Sequence, residues 1–261
     1  MNNEPRMLMK TIIILSTSLL LAGCSKQPPP APIAADPASN SASAQPVPLL
    51  NPGSAVTGDM SNSPVDMTQT IRKFGTPASY FDQITRFPAR KAVPRGARVF
   101  DRVPIQIDGM ICLWGEVNAD RMKIVFPEQV TGIPVKQAFE TLYVYHATFC
   151  TPSKGMPVYE LVFRYKDGSS VTNEIQCGAD VLDWYAERDR PPAGPTSPNS
   201  KIAWLGTAVW PDGEQPLRFC LTALDNPHPS QEVTAIDLYS CKNEPAACIM
   251  AMTTGRAGLL R

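Results

Sequence analysis

The chain has 261 residues, and its 24 lysines and arginines balance 24 aspartates and glutamates to a formal net charge of zero. No field of one sign is available to concentrate a polyanion, so nucleic acid is excluded as a partner class on charge. The length holds one substantial domain or two small ones, and we read one.

Arg6 and Lys10 precede the apolar run from Thr11 to Leu21, which is too short to span a bilayer comfortably and has the layout of a secretory signal. The run ends in Leu21-Ala22-Gly23-Cys24, which resembles the lipobox of bacterial lipoproteins. The resemblance implies cleavage before Cys24, diacylation of its thiol and acylation of the new N-terminus. Several acyl chains anchor stably where one would be marginal. A plain signal peptide with a chance cysteine is the competing reading. Ser25 stands where an aspartate would favour inner-membrane retention, so the expected location is the cell envelope, at the outer membrane or cell surface.

From Ser25 to Val65 the composition shifts to Pro, Ala, Ser and Asn, with Lys26, Asp36 and Asp59 as the only charges and no aromatic residue. Such a segment cannot bury enough apolar area to offset the entropy of ordering itself, and it reads as a disordered tether. Pro28-Pro29-Pro30-Ala31-Pro32 favours extended polyproline II, and the segment could reach on the order of 100 Å. The expected division is therefore a signal peptide over residues 1–23, the lipidated cysteine and linker over 24–65, and a single β-sandwich domain over 66–261, strand-rich from about residue 100.

Within the domain, Met67 to Ala92 is interrupted by Gly75, Pro77 and Pro88 and reads as loop and short turns. Ile105, Ile107, Ile111 and Leu113 are expected on one face of a strand bent at Gly109. A short strand is expected from Arg121 to Phe126, stopped by Pro127. Phe139 to Phe149 is apolar on both faces, as a central strand would be. From Val158 to Lys166, Tyr159, Leu161, Phe163 and Tyr165 alternate with Glu160, Arg164 and Lys166, and Asp167-Gly168 supplies a tight hairpin into a strand carrying Val171 and Ile175. Gly178 to Tyr185 breaks the alternation. Asp180 and Asp183 there look like the cap and first-turn acid of a short helix, with Val181 and Trp184 on its inner face. Prolines 191, 192, 195 and 198 mark a surface loop, after which strands are expected at Ile202–Trp210, Leu217–Leu224, Val233–Cys241 and Ala247–Thr253. Many short strands with Pro/Gly turns indicate an all-β sandwich or barrel.

Certain landmarks carry a second resemblance: Val103-Pro104-Ile105 with Ile107-Asp108-Gly109, Gly132-Ile133-Pro134-Val135, Leu142 with His146-Ala147, Tyr165-Lys166-Asp167-Gly168, then Ile175, Gly178 and Asp183-Trp184. In this order they resemble a jelly-roll domain of secreted bacterial proteins that belongs with the galactose-binding-like sandwiches. The resemblance implies a jelly-roll fold and, because many such modules bind glycans or serve as non-catalytic appendages, carbohydrate binding.

Several residues could carry chemistry. Setting aside Cys24, the six cysteines of an exported chain suggest disulfides. The turn Asn243-Glu244-Pro245 makes Cys241 with Cys248 the favoured pair, while buried thiols are the alternative. No Cys-x-x-Cys occurs and histidine is scarce, so no metal site is expected, although a structural calcium held by loop oxygens fits the fold class. His146 and Cys150 lie roughly 13 Å apart on an extended strand and cannot share a metal or a proton. His146 therefore reads as a strand histidine with a hydrogen-bond partner. On one helical turn Asp180 and Asp183 would approach the separation of a retaining glycosidase pair, though capping explains both. Trp184, Tyr185, Trp204 and Trp210 could form an aromatic platform for a sugar ring, against the commoner role of tryptophan in a core. The leading expectation is a non-enzymatic, membrane-anchored envelope lipoprotein, without a cofactor, whose sandwich binds a glycan or an envelope protein. The alternatives are a glycan hydrolase using Asp180 and Asp183, and a purely structural or assembly lipoprotein.

Overall fold

A computed structural model describes residues 62–74, 93–150, 153–188, 191–210 and 213–260. Cys24, the expected signal peptide and nearly all of the expected tether lie outside the described residues. In chain order the elements are β1 (Ser63–Pro64), α1 (Thr68–Phe74), β2 (Gly96–Phe100), β3 (Val103–Ile107), β4 (Ile111–Cys112), α2 (Glu116–Asp120), β5 (Gln129–Gln137), β6 (Thr141–Phe149), β7 (Pro157–Tyr165), β8 (Ser170–Gln176), β9 (Ser200–Trp210), β10 (Gly213–Asp225), β11 (Val233–Ser240) and β12 (Ala246–Gly255). One sheet runs β1-β12-β6-β10-β9, with β4 also beside β12, and a second runs β5-β11-β7-β8. All these pairings are antiparallel, and the all-β sandwich expected from the turn spacing is the observed class.

The sandwich has an additional cover. The β2–β3 hairpin lies against the face of the first sheet turned away from the second, so β6 and β12 are buried on both sides along their whole length. Leu142 and Val144 of β6 point into the inner core between the sheets, where they meet Tyr159, Leu161 and Phe163 of β7. Tyr143, Tyr145, Ala147 and Phe149 point the other way, into an outer core closed by Phe100, Val103, Ile105 and Ile107 of the hairpin. The outer core is rich in rings: Tyr145 stacks on Phe100 at 5.0 Å and lies 5.3 Å from Phe219, which in turn lies 5.6 Å from Trp204. The period-two pattern of β7 is observed as expected, and so is its turn. Gly168 has φ +87°, and the Asp167 carboxylate accepts hydrogen bonds from the Ser169 amide at 2.9 Å and hydroxyl at 2.6 Å.

Four expectations are corrected. Ile105 and Ile107 belong to the outer core, whereas Ile111 and Leu113 belong to the inner one, because the chain crosses from the hairpin to the first sheet between β3 and β4. Gly109 sits at that crossing, where an added Cβ would come 3.0 Å from Ile71 of α1. Residues 121–126 form no strand, and the short helix α2 precedes them. Thr68–Phe74 forms a helix, with the Thr68 amide donating to Asp66 at 2.9 Å. Residues 75–92 lie outside the described residues.

The fourth correction concerns Gly178 to Tyr185, which is a turn followed by extended chain and contains no helix. Gly178 takes φ +77° at the turn. The chain then bridges Thr148 through Asp183 and Leu217 through Tyr185, with the Thr148 amide donating to the Leu182 carbonyl at 2.9 Å and the Trp184 amide donating to the Thr148 carbonyl at 3.0 Å. Extended geometry sends Val181 into the inner core and Trp184 into the outer, so the two share no face.

Candidate functional site

A buried polar chain is centred on His146 in the middle of β6. Its Nδ1 lies 2.7 Å from the Tyr159 hydroxyl of β7 and its Nε2 lies 2.8 Å from the Thr222 hydroxyl of β10. Thr222 donates its single proton to the Asp180 carbonyl at 2.8 Å and accepts from the Ser200 hydroxyl at 2.9 Å. The bonding pattern fixes the tautomer: Nε2 carries the ring proton and donates to Thr222, while Nδ1 accepts from Tyr159. Burial pushes the imidazole down to about 3, so His146 is neutral at physiological pH. Both ring nitrogens are engaged and fully enclosed, which suits tying the two sheets and the 177–185 segment together. The expectation of a strand histidine with a partner is met, with two partners in place of one.

The paired carboxylates are engaged by backbone. Asp180 accepts from the Gln176 amide at 3.0 Å, and Asp183 accepts from the Tyr185 amide at 3.1 Å while its carbonyl takes the Arg218 guanidinium at 2.8 Å. Without a helical turn, the premise that placed them as a hydrolytic pair is gone. Two members of the expected aromatic platform are withdrawn into the core. Trp184 and Trp204 are 4% and 3% exposed in the outer core, with Trp184 edge-on to Phe149 and its ring 4.5 Å from that of half-buried Tyr185. The side chain of Trp210 lies outside the described part of the molecule.

The structure does not bring Cys241 and Cys248, the favoured pair, together. The physical reason is layering. Cys241 follows β11 at the margin of the second sheet, where its amide donates to Val158 at 3.1 Å, and Cys248 faces the outer core from β12. Burial raises the thiols of Cys177 and Cys241 to about 11 and that of Cys220 to about 12, which keeps them protonated and unreactive. Among the described residues, no group of three or more His, Cys, Asp or Glu side chains is placed to hold a metal ion.

An open cleft lies at an end of the sandwich. It measures about 260 Å³ and is lined by Ser63, Gln137, Phe139, Glu140, Thr254 and Arg256, among others. Register brings these distant residues together: β1 pairs Ser63 with Thr254, and β12 pairs Gly255 with Thr141 beside Glu140. The Gln137 amide donates to the Thr254 hydroxyl, the Glu140 carboxylate accepts from the Ala257 amide at 2.9 Å, and the Tyr143 hydroxyl donates to the Arg256 carbonyl at 2.5 Å. Asn62 supports the same corner, accepting from the Arg256 amide at 3.2 Å. Among the lining residues Glu140, Arg256, Gln137 and Thr254 bring carboxylate, guanidinium, amide and hydroxyl chemistry to one cleft, both donors and acceptors for a polyhydroxylated ligand. No sequence signal marked this site, because its residues lie in loops and strand ends without a local motif.

Compared with models of known protein families and with curated proteins, the chain matches none.

Proposed function

We propose that the chain is a lipid-anchored protein of the bacterial cell envelope whose jelly-roll domain binds a glycan without chemically altering it. The strand order supports the finer topology. β4-β12-β6-β10 face β5-β11-β7-β8, so early and late strands of the chain interleave in both sheets, as two nested Greek keys would arrange them. The lipobox-like Leu21-Ala22-Gly23-Cys24 and the proline-rich segment after it support the anchor and tether. The observation that carries the binding reading is the end cleft, whose lining brings Gln137, Glu140, Thr254 and Arg256 together. The non-catalytic reading draws on the engagement of His146, Asp180 and Asp183 in hydrogen bonds that hold the fold.

Two measurements test this reading. Cys24→Ala should move the protein from the membrane fraction to the soluble one, and a variant that stays membrane-bound counts against the anchor. Purified protein screened against envelope polysaccharides should retain at least one, with Arg256→Ala and Gln137→Ala each weakening it about tenfold, or about 1.4 kcal/mol, and Arg256→Ala doing so at unchanged thermal midpoint. No retained polysaccharide, or affinity indifferent to both substitutions, defeats the cleft assignment. Capture of an envelope protein that depends on the same two residues would transfer the site to protein recognition.

A further inference from the structure

Cys112 on β4 and Cys248 on β12 are direct partners in the antiparallel ladder, with Ile111 opposite Ile249 beside them. The next position along, Leu113 opposite Ala247, is joined by the Leu113 amide donating to the Ala247 carbonyl at 3.0 Å. Antiparallel ladders alternate hydrogen-bonded and non-hydrogen-bonded pairs, so Cys112 and Cys248 form a non-hydrogen-bonded pair, where Cα atoms come to about 4.5 Å and side chains are nearest. This lies within the separation that a disulfide spans. Both side chains are fully buried on the outer-core side of the sheet, they contact each other, and each thiol lies 3.4 Å from the Met110 sulfur.

We propose that Cys112 and Cys248 close a cross-strand disulfide that ties β4 to β12 beneath the hairpin. The proposal rests on the exported location argued above, because an oxidising compartment must supply the oxidant. The two thiolates are oxidised by thiol–disulfide exchange with a protein or glutathione disulfide. One sulfur attacks to form a mixed disulfide, the second displaces the carrier thiolate, and the oxidant leaves as two thiols carrying the protons and electrons. Oxidation precedes closure of the outer core. In the folded chain the Cys112 thiol is held well above its usual range by burial, which leaves little thiolate to react. Met110 and Met250 place four sulfurs together, a set that would suit a soft cation. Two thiolates with one monovalent metal would leave a net negative charge in a cluster of apolar side chains, whereas a disulfide is neutral there.

Trypsin separates the candidates, since Cys112 lies in peptide 103–121, Cys248 in 243–256, and Cys241 with Cys220 in 219–242. Full-length protein taken from the cell envelope, and the same protein unfolded, reduced and refolded in glutathione redox buffer, would each be alkylated in denaturant and digested without reductant. The expected product in both is 103–121 linked to 243–256, split by reductant. Reductant should also lower the denaturation midpoint of the parent but not of a Cys112→Ala, Cys248→Ala variant. Recovery of both peptides alkylated from the refolded sample, a link between 219–242 and 243–256, or stoichiometric copper(I) retained with both cysteines unlinked would overturn the proposal. The link forming on refolding yet missing from the envelope sample would uphold the pairing and overturn the exported location.

Discussion

The two faces of the first sheet are built on different terms. Toward the second sheet, β6 offers Leu142, Val144 and His146 to a core whose polar groups are joined from Tyr159 through His146 to Thr222 and the Asp180 carbonyl. Toward the hairpin it offers Tyr143, Tyr145, Ala147 and Phe149 to a core of rings and sulfur, in which the Tyr145 hydroxyl is buried and lacks a partner among the described residues. Apolar burial is non-directional, while a satisfied hydrogen-bond chain accepts one arrangement only. The inner core thus specifies how the two sheets sit on each other, and the outer core contributes area with less discrimination.

If both cores carry stability, truncating a fully buried phenyl ring in either should be costly. Phe163→Ala in the inner core and Phe219→Ala in the outer should each lose about 3–5 kcal/mol in chemical denaturation, since both rings are fully buried. A loss below about 1 kcal/mol for Phe219→Ala alone would show that the hairpin cover opens without disturbing the sandwich.

Acid should separate the cores next. The native imidazole of His146 does not protonate until about 3, whereas the unfolded chain does so near 6.5. Protons therefore favour unfolding, and stability is complete above about pH 6.5 and falls as pH drops, by about 1.4 kcal/mol per unit, or roughly 3 kcal/mol at pH 4. The outer core has no histidine, so no imidazole there adds to this slope. Denaturation of the parent and of His146→Leu from pH 7 to 4 isolates the effect. The variant should be weaker at pH 7 yet lose less on acidification, and equal slopes would show that the network does not hold His146 neutral.

The same division governs how much of the fold is legible in the sequence. β7, its Asp167-Gly168 turn and the late strands β9 to β12 were legible because alternation and turn chemistry are local signals. β6 was legible as a doubly buried strand, but not what buries its second face. The third layer depends on the chain crossing at Gly109, and a glycine there reads equally well as a bend within one strand. The 178–185 segment misled for a related reason. Aspartates three apart suit a helix start, yet the backbone bridges to Thr148 and Leu217 decide its conformation, and those partners are remote in sequence. Trp184 and Trp204 could not be assigned to core or surface by type, since an indole suits both. The end cleft was invisible because Ser63, Gln137, Glu140 and Arg256 meet only through strand register.

A paired removal of one oxygen tests the contrast most finely. Tyr159 donates to the Nδ1 of His146, so Tyr159→Phe leaves a buried acceptor unmet and should cost about 1–2 kcal/mol. Tyr145 is equally buried, but its hydroxyl is without a partner among the described residues, so its desolvation is uncompensated. Tyr145→Phe removes that penalty while keeping the ring stacked between Phe100 and Phe219, and should be neutral or stabilising by up to about 1 kcal/mol. Denaturant midpoints of the two variants measured side by side give the comparison. Equal losses would mean that the Tyr145 hydroxyl finds a partner in solution and that the outer core is as directional as the inner one.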